Sequence, residues 1–187
     1  MRELQIRLAN AWDDVEEVFG PQGGQSGCWC MWFRMPGAEF RTLEAGERRA
    51  RLRALVESAR PPGLLAYLDG TPVGWCAVAP REEQARIGRS PSTRPADPDE
   101  TGVWSVTCFY VTRQGRGQGI AAALLQRAVA FAAAEGAVAV EGYPTDSDRR
   151  LAAAERYHGW RSLFEQAGFE EIARRTPTRP VMRLSLA

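Results

Sequence analysis

The apolar run Val103 to Val111 leads into Arg113-Gln114-Gly115-Arg116-Gly117-Gln118-Gly119, and an Ala- and Leu-rich stretch starts directly at Ile120. This order of strand, glycine turn and helix constrains the chain more than any other feature. It gathers free backbone N–H groups and the positive end of a helix dipole around one point, which suits a phosphate or diphosphate. Glycine is needed there because the backbone must approach the anion with no side chain between. Arg113 and Arg116 add positive charge. The pattern predicts a helix over Ile120 to Ala134 and a strand over Ala137 to Glu141, a compact β-loop-α-β unit.

The flanks read less regularly. Leu4, Ile6 and Leu8 alternate as in a strand, and Asp13 to Phe19 places Val15, Val18 and Phe19 on one helical face. After the glycine-rich stretch from Gly20 to Gly27 and the aromatic segment from Cys28 to Phe33, Thr42 is expected to cap a helix carrying Leu43, Leu52, Leu55 and Val56, stopped by Pro61-Pro62-Gly63. Leu64 to Leu68, the turn Asp69-Gly70 and Val73 to Ala79 form a hairpin. Residues 81–101 are polar and rich in proline and arginine, and read as a long loop, either a mobile lid or a disordered insertion. A helix over Leu163 to Ala167 ends at Gly168, and strands follow over Phe169 to Arg174 and Val181 to Leu186. Together, residues 1–187 read as a single domain of the α/β class.

The residues Arg116-Gly117-Gln118-Gly119-Ile120-Ala121 resemble the R/Q-x-x-G-x-G/A signature with which GNAT N-acetyltransferases hold the pyrophosphate of acetyl-coenzyme A. Phe109-Tyr110-Val111 sits where that family's fourth strand ends, Ala122 to Phe131 is similar to the helix after it, and Phe164-Glu165-Gln166-Ala167-Gly168-Phe169 resembles its "Y-E-K-x-G-F" segment. The resemblance spans residues 103–172. It implies a mixed, mostly antiparallel sheet of six to seven strands flanked by helices and splayed between strands four and five, acetyl-CoA as co-substrate, and direct attack of a primary amine on the thioester within a ternary complex. It also implies that amides of Gln114, Gly115, Arg116, Gly117, Gln118, Gly119, Ile120 and Ala121 hold the pyrophosphate. Backbone groups of Phe109, Tyr110 and Val111 align the pantetheine arm, with the Phe109 amide as oxyanion donor.

Rival readings of the same loop remain. A Walker A loop is excluded, since no lysine occurs anywhere in the chain. Gly117-x-Gly119-x-x-Ala122 also fits a dinucleotide-binding turn, with Glu141 closing the next strand, although few residues follow for further βα units. A glycine turn that only packs helix on strand is the plainest alternative.

Where the chain departs from the family, the chemistry is open. The usual tyrosine acid is Phe164, which has no proton to give. Tyr157, at the place of a frequent asparagine near the coenzyme arm, and Tyr143, just after the fifth strand, are candidate acids, against packed aromatics. Glu141 and Asp146 are candidate bases, against salt-bridged acids. His158, the only histidine, reads as incidental, and Cys108 as a small core residue rather than an acyl-cysteine. Trp29, Trp32 and Phe33 are expected to wall the acceptor site, although core packing accounts for them equally, as it does for Trp75 and Trp104.

Composition narrows partners and surroundings. The 24 basic residues, all arginine, nearly balance 23 acidic ones for a net charge of +1, which argues against nucleic-acid binding by a basic surface. The sequence start is not signal-like and the Ala-rich run from Ile120 is broken by Gln126 and Arg127, so a cytoplasmic protein with reduced thiols and no membrane segment is expected. Cys28-x-Cys30 lacks the further ligands that zinc needs, and no metal is expected. The acceptor is a small-molecule or protein amine, a homodimer stays open, and a non-catalytic acyl-CoA sensor is the alternative to an enzyme.

Overall fold

A computed structural model of the protein describes residues 3–147 and 157–186. Its strands are β1 (Leu4–Leu8), β2 (Gly63–Leu68), β3 (Thr71–Pro80), β4 (Val103–Val111), β5 (Ala139–Gly142), β6 (Glu170–Thr176) and β7 (Arg179–Ser185). They make one seven-stranded sheet in the order β1-β2-β3-β4-β5-β7-β6. Every neighbouring pair is antiparallel except β4 with β5. This is the mixed sheet that the sequence predicted, and it overturns the dinucleotide reading, which needs successive parallel strands.

The two-residue period of the central strands divides their side chains between two cores. Leu64, Ala66, Cys76 and Val78 pack with Ile120, Leu124 and Ala128 of α4 (Ile120–Ala134) on one face. Leu65, Tyr67, Trp75 and Ala77 pack on the other with α1 (Trp12–Phe19) and with Leu52 and Val56 of α3 (Ala45–Val56). The start of α3 differs from expectation. Glu44 and Glu47 form a reciprocal capping box there, whereas Thr42 closes α2 (Gly37–Thr42) and donates its hydroxyl to the Glu39 carbonyl. Among the described residues no helix is long and apolar enough to cross a membrane.

The departure from regularity that matters lies in β4. Val106 pairs with Val78 and Cys108 with Ala77, so Thr107 has no opposite number on β3. A bulge of this kind bends the strand. On the other side, pairing with β5 runs from Val103 with Ala139 to Val106 with Gly142 and stops. From Thr107 to Val111 this edge of β4 therefore faces no strand among the described residues. Phe164 of α5 (Arg161–Gln166), fully buried, packs edge-on to Phe109 with centroids 6.1 Å apart and holds the parting open. A Cβ at Gly142 would lie 2.0 Å from its ring, so only glycine lets β5 pass.

Residues 81–101 are not a disordered insertion. Arg81, buried, donates to the carbonyls of Asp97 (3.0 Å) and Glu100 (2.8 Å), which ties the two ends of the segment together. Between them the Arg86 amide donates to the Phe33 carbonyl, Thr93 donates to the Ile87 carbonyl, and Ile87 is buried against Phe33 and Tyr143.

Gly142→Ala is expected to destabilise the fold by about 2 kcal/mol, since the enclosed Phe164 ring has nowhere to move. Urea unfolding should show a lower midpoint at unchanged slope, with part of the loss recovered when Phe164→Leu is added.

Candidate active site

The loop after β4 has the form that an anion requires. Gly117 and Gly119 adopt left-handed φ of +74° and +72°, and a Cβ on either would meet open space. Gly119 caps α4 with no side chain satisfying the first amides of the helix. Arg113, Gln114, Arg116 and Gln118 are exposed, while Gly115 and Ile120 are buried and anchor the turn. These residues fit a diphosphate. Ala121 follows in the first turn of α4, and Phe109, Tyr110 and Val111 precede the loop on the part of β4 that pairs with β3 and has left β5.

A cavity of about 700 Å³ opens against the same stretch of β4 and is lined there by Thr107, Cys108 and Tyr110. Phe19, Phe33 and Phe40 give it an apolar wall, closed by Arg86 to Thr93 of the long segment. Phe19, Tyr110 and Tyr157 stack in series, with centroids 5.6 Å apart at each step. Of the three aromatics expected to wall it, Trp32 and Phe33 do so, Trp32 being 43% exposed. Trp29 does not. It is 3% exposed and packs between Trp12 and Phe19, with Gly23 leaving room for its indole. Trp29 and Cys30 have left-handed φ of 46° and 53°, strain of order 1 kcal/mol each that dense packing sustains. Trp75 and Trp104 are buried core residues.

The residues proposed for proton transfer separate into two groups. Glu141, 1% exposed, lies 3.2 Å from Arg81 and 3.5 Å from Arg183, and accepts the Tyr143 hydroxyl at 3.0 Å. Burial and the neighbouring Glu141 push the Tyr143 phenol well above its usual range. Neither lines the cavity; they form a buried ion-pair network that braces β5 against the long segment. Asp146 is likewise held by Arg174 (2.7 Å) and Arg161 (3.3 Å), which keep its carboxyl below the usual range. Tyr157 does line the cavity.

His158, which sequence reasoning set aside, lines it too. Its Nδ1 lies 3.2 Å from the Thr107 carbonyl at the bulge, and its ring meets Phe33 edge-on at 5.4 Å. A carbonyl only accepts, so Nδ1 carries the proton and Nε2 is left as the bare acceptor. Burial, with Arg179 adding repulsion, lowers its pKa to about 4. No periodicity or spacing marked this residue; the contact depends on chain closure around the bulge.

Cys30 accepts the Trp75 indole N–H at 3.2 Å, and hydrogen bonding to Cys30, then burial, push the Cys108 thiol well above its usual range, which disfavours a thiolate nucleophile. Among the described residues no cluster of three or more His, Cys, Asp or Glu side chains is placed to hold a metal ion.

A model of the Acetyltransferase (GNAT) family matches residues 29–160. Similar solved structures include an N-acetyltransferase from Staphylococcus aureus, at 16% identity and a TM-score of 0.59 over 99% of each chain. A proposed acetyltransferase from Salmonella typhimurium, solved with its cofactor acetyl-CoA, is 18% identical, with a TM-score of 0.58 over 98% of this chain and 94% of that one. A GNAT-family acetyltransferase from Streptococcus pneumoniae is 17% identical, with a TM-score of 0.53 over 99% of this chain and all (100%) of that one. At such identities the likeness is one of fold. No curated protein matches the sequence.

Two outcomes follow from the buried groups. Glu141→Gln leaves Glu100 as the single carboxylate between Arg81 and Arg183 and is expected to cost about 3 kcal/mol, read from chemical denaturation. For His158, the folded pKa of about 4 lies below the ordinary 6.5, so the unfolded chain binds more protons between those values. Its stabilising contribution is complete above pH 6.5 and is lost as pH falls toward 4, at most about 3 kcal/mol. As the single histidine, its imidazole resonances should titrate near pH 4 and show the Nδ1–H tautomer. His158→Gln should flatten the acid limb of the stability curve.

Proposed function

This chain belongs to the acetyltransferase (GNAT) family, and we propose that it transfers the acetyl group of acetyl-CoA to the primary amine of a small acceptor bound in the cavity against β4. The observation that carries this reading is the continuity of one strand. The unpaired edge of β4 begins at the cavity, at Thr107, and runs into the glycine loop at the start of α4. A thioester anchored by its diphosphate at the loop is thereby delivered along the strand to whatever occupies the cavity.

Acetyl-CoA supplies, when bound, an activated acyl group whose carbon the neutral amine attacks, the C–N bond forming as the C–S bond breaks. The protein's part is mainly positioning. Amides from Gln114 to Ala121 hold the diphosphate, backbone groups of Phe109, Tyr110 and Val111 align the arm, and the Phe109 amide faces the developing oxyanion. Phe164 fills the parting and donates no proton. The groups within reach of the acceptor are the Tyr157 phenol and the neutral His158. Tyr157 serves as proton source for the leaving thiolate, and the bare Nε2 of His158 accepts a hydrogen bond from the amine and passes the proton that the nitrogen sheds on acylation to solvent, from which the phenol is recharged. A volume of about 700 Å³ is of the size that takes a small molecule.

Thiol release from acetyl-CoA with an amine panel, with mass spectrometry of the acetylated product, tests the activity. Gly117→Asp keeps a residue type that tolerates left-handed φ but sets a carboxylate where the diphosphate binds. Its Kd for CoA by calorimetry should rise more than about tenfold. An unchanged Kd would remove the loop from the site.

A further inference from the structure

The charges around the cavity are of one sign. Arg86, Arg89 and Arg179 line it, and among the described residues no Asp or Glu does. Overall the chain is nearly balanced, with 24 basic and 23 acidic residues. Elsewhere several arginines take acidic partners, as in Arg34 with Glu83, Arg51 with Glu39, and Arg174 with Asp146. The lining is thus positively charged while the chain as a whole is nearly neutral.

Arg86 departs furthest. Its Nε donates to the Trp32 carbonyl, and its guanidinium lies flat over the Trp32 ring, 3.8 Å from the centroid. Its Nη2 is buried with no hydrogen-bond partner among the described residues. A guanidinium cannot shed its charge, and one whose donors are not all met favours an acceptor within reach of its remaining N–H groups. Stacking on Trp32 fixes the plane and leaves an edge ready for a planar oxyanion. Arg179, at the start of β7, is oriented by its 3.0 Å bond to the Tyr143 carbonyl. The glycine loop contributes nothing to this lining, so the coenzyme's diphosphate is served elsewhere.

We propose that the acceptor carries a carboxylate beside its amine on an apolar body, an amphipathic amino acid rather than a polycation, and that Arg86 and Arg179 hold the carboxylate while Phe19, Phe33 and Phe40 cover the side chain. The same lining repels a polyamine or a basic peptide. This inference rests on the acetyl-transfer reading above.

The test measures acetyl-CoA-dependent thiol release by the full chain with matched pairs: phenylalanine and phenylalaninamide, leucine and leucinamide, tryptophan and tryptophanamide. The amides have the less basic amine and thus more of the neutral nucleophile, so a preference for the acids reports recognition of the carboxylate. The kcat/KM for the acids should exceed that for the amides by about 30-fold or more. Arg86→Met should bring the ratio close to one, chiefly through KM for the acids, and Arg86→Lys should keep part of it. Equal use of both members, preference for the amides, or an Arg86→Met ratio like that of the unaltered protein overturns the inference. Neutral amines and polyamines run alongside keep the failures apart. Release with those and none with the acids overturns the carboxylate and leaves acetyl transfer standing; release with none overturns both.

Discussion

Among the described residues, Thr107 has a strand partner on neither side. The extra residue at this bulge bends β4 away from regular pairing with β3 in the same place where β5 parts from it. The parting exposes main-chain groups from Thr107 to Val111, gives the His158 ring a carbonyl to bond, and opens one end of the cavity. A sheet that continued its pairing would bury those groups in a ladder and leave no place for a substrate to meet them. Phe164 and Gly142 keep the strands apart by size alone: a ring with no polar atom on one side, a residue with no Cβ on the other.

This explains why the missing phenol at position 164 does not by itself argue against catalysis. The ring there is a wedge in a closed core, packed against Phe109 and Phe169. In the proposed reaction the polar work falls to the cavity side, where Tyr157 stacks on Tyr110 and His158 hangs from the bulge. The carboxylate that chain position made attractive, Glu141, is consumed by two arginines and a phenol. It serves the site from behind by fixing β5 and the ends of the long segment, whose middle then supplies Arg86 and Arg89 to the cavity.

Legibility followed locality. The span of β4, the glycine turn and α4 were readable because each is set by residues adjacent in the chain: a run of apolar and β-branched residues, glycines at left-handed positions, then strong helix formers. The hairpin at Asp69-Gly70 was readable for the same reason. The start of α3 was misplaced because Thr42 looks like a cap on residue preference, whereas Glu44 and Glu47 satisfy the helix amides together. Trp29 and Trp32 are near neighbours of equal composition, yet one is core and the other cavity wall, since left-handed φ at Trp29 turns its side chain inward.

By itself, then, the order of residues determined most of the elements and the glycine turn, since those depend on backbone preference and short-range periodicity, while the sheet class followed from the family resemblance. Tertiary structure alone decided which charges meet and which are left without an acid. Glu141 finds Arg81 across 60 residues, and His158 finds Thr107 across 51. Arg86 lies over Trp32, 54 residues before it. Nothing in residue type or spacing distinguishes an arginine that will be neutralised from one that will face a cavity. The difference arises only when chain closure sets the distances on which Coulomb attraction and hydrogen bonding depend.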